Sequence, residues 1–194
     1  MSSTYKSLKV DYARPVVSRW GAVALVVQIA KYYAWLRGEE CSWTQCKLMA
    51  AVVGLPEQEV CSAPERANRG LPVEWALRKV GHGDRHYGID AVVWPPMPDP
   101  HAIKAQLDQG RPIVLEYAHK VGAEGTVFDG VPVMEYDPNL VGQPYPTAIV
   151  GAVYNVQNQL ERIALMDPYQ GTTFVTYEQL KTYHEGKNKA YLTY

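Results

Sequence analysis

Ser18-Arg19-Trp20-Gly21-Ala22-Val23-Ala24-Leu25-Val26-Val27-Gln28-Ile29-Ala30-Lys31-Tyr32-Tyr33 is the stretch that decides how this chain folds. Between Val23 and Ala30 only Gln28 is polar, so the segment is apolar nearly all the way round rather than along one stripe. A helix of that kind belongs inside a domain. It is too short to cross a bilayer, which takes about twenty apolar residues, because Arg19 and Lys31 bound it. Pro15 ends whatever precedes it and Ser18 is a suitable acceptor for the first-turn N–H groups, so a start near Ser18 or Arg19 is expected. Gly38 suits the left-handed position after Leu36 and Arg37.

The 194 residues around this helix suit one domain, long enough to bury about 70% of its unfolded surface without staples. Nineteen basic and twenty acidic residues leave a net charge of -1 with no basic block. Neither a nucleic acid nor an anionic membrane has an electrostatic footprint to dock on, which favours a peptide, protein or small-molecule partner. The first residues carry no secretory signal pattern, so the chain reads as cytoplasmic, or as exported by a route without a classical signal. Cys41, Cys46 and Cys61 are too few for a disulfide scaffold and wrongly spaced for zinc. Cys46 and Cys61 are open to pairing, against the simpler reading of buried thiols. Fourteen tyrosines and five tryptophans against two phenylalanines supply rings with polar handles, suited to cleft edges, interfaces or wet cores.

Residues 1 to 17 show no sustained period and read as an extended lead-in. Ser42-Trp43-Thr44-Gln45 has the spacing of a capping box, followed by a short helix to Gly54. A polar loop runs from Leu55 to Leu71, then Pro72 opens a helix over Val73 to Val80 that Gly81 closes. Gly81 to Gly88 reads as a glycine-rich turn, and Pro95-Pro96-Met97-Pro98 as an extended linker. Asp99-Pro100 starts a helix through Gln109, and Pro112 to Tyr117 is a buried strand. Asp129-Gly130 marks a hairpin between Val127-Phe128 and Val131-Pro132-Val133. Thr147 to Tyr154 and Leu160 to Met166 form a second hairpin, Asp167 to Gly171 turns into Thr172 to Val175, Thr176 caps a helix from Tyr177 to Glu185, and Ala190 to Leu192 is a last strand. Helices concentrate in residues 1 to 94 and strands in 99 to 194, the signature of an α+β domain of two lobes with a cleft between them as the default site.

The order of these elements and several strings resemble the papain-like cysteine peptidases, in particular the compact bacterial staphopain-like and C39-like branch. In that family the buried helix carries the nucleophilic cysteine at its N-terminus, where the helix dipole stabilises a thiolate. Arg19-Trp20-Gly21-Ala22 stands at the matching string. Thr147-Ala148-Ile149-Val150-Gly151 matches the strand that begins with the family's histidine, and Asp167-Pro168 the residues that orient it. Gln45-Cys46, Trp75-Ala76-Leu77, Gly110-Arg111-Pro112-Ile113-Val114 and Thr176-Tyr177 extend the resemblance over residues 14 to 185.

The departures bear on function. Arg19 replaces the nucleophile, Thr147 replaces the histidine, and the oxyanion-hole glutamine falls near Ala13 or Arg14. Cysteine-histidine catalysis needs all three. The resemblance therefore implies a catalytically silent pseudo-peptidase that binds a peptide or partner protein in its cleft, with Ser18, Arg19, Trp20, Thr147 and Asp167 as candidate cleft residues and no cofactor. Arg19 either forms an ion pair with Asp167 across the dead site or stays free to hold a ligand carboxylate. Trp20 is most simply a core anchor. Two alternatives stand beside this one. The first is an active peptidase or amide hydrolase with its nucleophile moved to Ser18 or a cysteine and His101 or His119 as base. The second is a structural subunit that self-associates through its tyrosines. His82 and His86, with Asp84 between them, lack a third metal ligand.

Overall fold

The computed structural model describes residues 3–83, 92–94, 98–118, 144–183 and 189–193. The long apolar stretch is helix α1, Gly21–Leu36, and every residue from Gly21 to Ala30 is buried, Gln28 included. Two features of its start differ from expectation. The helix begins at Gly21 rather than Ser18 or Arg19, and Trp20 occupies the cap position with no side-chain cap. The chain instead makes a tight turn, with Trp20 N–H donating to the Val17 carbonyl, before the helix takes over. Its other end falls where the sequence put it, with Gly38 left-handed at φ 69°.

Helices α2 (Gln45–Val53), α3 (Glu57–Ser62) and α4 (Val73–Gly83) follow, with a 3-10 turn at Pro64–Ala67. The cap of α2 is Thr44, whose Oγ1 accepts from Lys47 N–H; Ser42 lies two residues too early, and Gln45 is spent elsewhere. The segment read as a loop from Leu55 to Leu71 contains α3 and the 3-10 turn, anchored by the buried Val60 and Ala67. Helix α4 runs past Gly81 to Gly83.

The strands are β1 (Thr4–Ser7), β2 (Val92–Trp94), β3 (Ile113–Ala118), β4 (Pro144–Tyr154), β5 (Leu160–Asp167), β6 (Gly171–Val175) and β7 (Lys189–Leu192). They form one antiparallel sheet in the order β2-β7-β3-β4-β5-β6. Strand β4 is long enough for two partners on one edge. Its first half pairs with β3, from Ala118 opposite Pro144 to Ile113 opposite Ile149, and its second half with β1, from Ser7 opposite Gly151 to Thr4 opposite Tyr154. The lead-in thus contains a strand that its own four residues do not announce. Helices α5 (Pro100–Asp108) and α6 (Tyr177–Tyr183) complete the described elements. Asp99 caps α5, and Thr176 and Gln179 cap α6 reciprocally.

The chain is therefore α+β, with helices and sheet in largely separate parts of the sequence. Both faces of the sheet are covered. On one, Val114, Ala148, Val150, Ala164, Met166 and Tyr191 pack with α1, α2 and α4. On the other, Leu115, Ile149, Ile163, Leu165 and Ala190 pack with Ile103 and Leu107 of α5 and Leu180 of α6. Double coverage is why β3 opens on the apolar run Ile113-Val114-Leu115. A bulge in β4 makes Val150 an extra residue between the pairs Ile149–Leu165 and Gly151–Ala164. It switches the alternation, so Val150 faces α1 while Ala152 and Tyr154 join the α5 side. Two tyrosines of α1 bolt the layers together. Tyr32 Oη donates to the Gly110 carbonyl, and Tyr33 Oη meets Thr193 Oγ1 at 2.6 Å, which in turn donates to the Pro112 carbonyl.

Candidate functional site

The residues singled out around the start of α1 are held by two clamps. Gln45, the first residue of α2, uses both ends of its amide on the lead-in: Oε1 accepts from Val16 N–H at 2.8 Å and Nε2 donates to the Arg14 carbonyl at 2.8 Å. The second clamp follows α3. Asn68 Oδ1 accepts from Arg19 N–H at 3.0 Å, while its Nδ2 donates to Ser18 Oγ at 3.3 Å and to Glu65 at 3.0 Å. Trp20 is fully buried, and its indole N–H donates to the Ala67 carbonyl at 3.0 Å, so it is the core anchor expected of it. Neither Gln45 nor Asn68 was foreseeable in this role, since their partners lie 29 to 50 positions away in the chain.

Across from the helix start stands the turn between β5 and β6. Asp167, only 2% exposed, accepts at Oδ1 from Tyr169 N–H at 2.7 Å and Gln170 N–H at 3.1 Å. Such a turn organised by an aspartate fixes where the next residues point. Tyr169 reaches back over α1: a methyl group built on Gly21 would lie 2.5 Å from its hydroxyl oxygen and within 3 Å of its ring. Glycine at position 21 is what lets this ring lie on the helix. Tyr12 Oη donates to the Tyr169 carbonyl at 3.3 Å and helps hold the turn. Tyr169 falls in the turn expected from Asp167 to Gly171, but its place over α1 was not foreseen, and the available signal was its position two residues after Asp167.

The expected ion pair between Arg19 and Asp167 is not formed among the described residues. Asp167 is committed to its own turn, and the Arg19 guanidinium makes no ion pair with any described residue. Ser18 is exposed and lies beside Arg19, but its hydroxyl is engaged by Asn68 rather than by a base.

Thr147 sits opposite Leu115 of β3, so its Cβ points to the face of the sheet on which Leu115 packs in the cluster with α5 and α6. It is 1% exposed, and its hydroxyl finds no hydrogen-bond partner among the described residues. Ala148, its neighbour, is the one packed in the α1 cluster. His101 is exposed in the first turn of α5, whose apolar side chains pack on the sheet face away from α1. His86, His119, His184, the hairpin at Asp129-Gly130 and Pro95-Pro96-Met97 lie outside the described residues, as does the side chain of His82. Among the described residues no cluster of His, Cys, Asp or Glu is arranged to hold a metal ion, and no helix is long and apolar enough to cross a membrane.

Electrostatically the helix start is positive. Sixteen residues of aligned peptide dipoles end there with no acidic side chain in the first turn, and Arg19 adds a full charge beside them. Such an end attracts carboxylates and offers a guanidinium fork to grip one, with Tyr169 lying on the helix beside it. Two concavities lined by described residues lie elsewhere. One of about 340 Å³ is bounded by Val52, Trp75, Arg78 and Lys79, and another of about 130 Å³ lies around α3. No protein-family model matches the chain, and no curated protein sequence matches it.

Proposed function

We propose that this chain is a catalytically silent domain of papain-like architecture that binds a carboxylate-bearing peptide or partner protein beside the start of α1. The observation that carries this reading is the pairing at that point of an arginine without an ionic partner among the described residues and a tyrosine ring laid over Gly21. At the position where the resembling family places its nucleophile, the chain has a cation suited to recognition. The base position, Thr147, is built into the opposite side of the sheet, and Ser18 is tied to Asn68.

The test is to incubate the purified protein with a diverse peptide library and read both retained and cleaved peptides by mass spectrometry. Retention without cleavage is expected. Affinity should fall by about tenfold or more in Arg19→Ala, as loss of a charge-assisted bidentate contact implies. Tyr169→Ala, which uncovers the helix start, should alter affinity in either direction while the protein stays folded. Cleavage at defined positions, abolished by a thiol or serine reagent, would overturn the reading. So would retention indifferent to both substitutions.

A further inference from the structure

Helix α4 turns Val73, Ala76, Leu77 and Val80 into the core, where they join Leu48 and Met49 of α2. Trp75 stands on its outer face and is 55% exposed, so the indole ring is open to solvent. With the half-buried Val52, near the end of α2, it supplies the apolar wall of the hollow of about 340 Å³. Arg78 and Lys79 complete the lining. Lying three and four residues after Trp75, they fall on either side of it on the helix surface. Neither is in the last turn of α4, so the helix dipole gives little reason for two cations at this point.

The charge at the hollow is not balanced by its surroundings. Glu74 meets Arg78 at 2.6 Å through one carboxylate oxygen and Lys189 at 3.8 Å through the other, so a single carboxylate answers two cations. Lys79 is exposed and makes no ion pair with any described residue. No acidic side chain is among the described residues that line the hollow.

We infer that this hollow binds a small aromatic carboxylic acid, its ring laid on the Trp75 indole and against Val52, its carboxylate held by Lys79 and Arg78. Each part of that ligand answers a feature of the site. A ring covers the indole, which a bare inorganic anion would leave wet, and a carboxylate takes up the positive charge that a neutral ring would leave unanswered. Arg78 has N–H groups to spare beyond the one turned to Glu74. A volume of about 340 Å³ lies at the small end of the range for ligand pockets, with room for one ring system and a short acidic arm. The site shares no residue with the start of α1 and stands whatever that helix start binds.

The isotope-labelled full chain is titrated with hydrocinnamate while the tryptophan indole N–H signals are followed by NMR, that of Trp75 being assigned from its loss in Trp75→Phe. A saturable shift of the Trp75 signal is expected, with a Kd on the order of 1 mM for a ligand of about eleven heavy atoms in an open site. Affinity should fall by about threefold or more in Lys79→Ala and for the neutral amide of the same acid, and should weaken with added salt. Trp75→Ala should lose the ligand, and Arg19→Ala should bind it as the wild type does. Trp75 and Lys79 are both exposed, so neither substitution touches the core. Absence of a saturable shift in the folded protein would overturn the site. Equal binding of acid and amide would overturn the role of the two cations. A shift centred on the Trp20 signal and lost in Arg19→Ala would place the carboxylate at the start of α1 instead and overturn the inference.

Discussion

Glu116 shows how much of this protein is decided by single side chains whose partners lie far away in sequence. It interrupts a strand of Ile, Val and Leu, yet it is buried, because its carboxylate accepts from the backbone N–H of Val73 and so caps α4. Burial holds its pKa above the ordinary glutamate value of 4.5, with Glu74 adding to the rise and the Val73 bond and Lys189 opposing it. A carboxyl raised on folding binds its proton more tightly in the native state. Its stabilising effect is therefore present below 4.5 and is lost as pH climbs through the raised value. Each unit of rise corresponds to about 1.4 kcal/mol. Denaturant titrations across that interval should show wild-type stability falling with pH and Glu116→Gln, whose amide oxygen still caps Val73, falling less. A steeper fall in the variant would refute this account. The sequence showed an acidic residue within a buried strand and nothing of its purpose, since the cap it supplies is 43 positions away. Arg19 and Trp20 were legible as important for the opposite reason: they abut the one segment whose burial is unmistakable. The Arg19–Asp167 pair failed because Asp167 has nearer donors in the two amides that follow it.

At the scale of elements, what the sequence revealed depended on whether an element carries its own pattern. Helix α5 was readable from Asp99, Pro100 and Gly110, and the β4–β5 hairpin from two apolar runs around Asn155 to Asn158, because those signals are local. Strand β1 was not. Thr4 to Ser7 is mostly exposed, and it becomes a strand only because the second half of β4 lacks a neighbour there. Gly151 makes the docking possible: a methyl group at that position would lie 2.6 Å from the Lys6 carbonyl oxygen and 3.2 Å from Ser7 Cα, both backbone atoms that cannot swing aside. Gly151→Ala should therefore cost about 1–3 kcal/mol, the range for overpacking, and release β1 first. Exchange protection at residues 4 to 7 should collapse while that of β5 persists. Equal loss across the whole sheet would show that β1 is not a separable edge. Helix α3 escaped notice because it buries only Val60, too little to set a period.

For the whole molecule, the α+β character was legible from the division of helical and strand patterns, but the layering was not. Nothing local says that the sheet is covered twice, or that β7 lies between β2 and β3. That arrangement makes the halves interdependent. The α1 cluster takes Val114, Ala148, Val150, Ala164, Met166 and Tyr191 from the strands, and Tyr32 and Tyr33 bond to positions near either end of the sheet half. A fragment of residues 1 to 94 should thus keep some helix but melt without a cooperative transition and bind hydrophobic dyes. A sharp transition in that fragment would mean that the helical half stands alone. The double partnership of β4 also governs the order of events at the ribosome. Thr4 must await Tyr154, an interval of roughly ten to thirty seconds at ordinary elongation rates. Through that time β1 has no partner strand, and Lys6, which ends up bound to Asp108, is a charge of the kind that discourages edge-to-edge pairing.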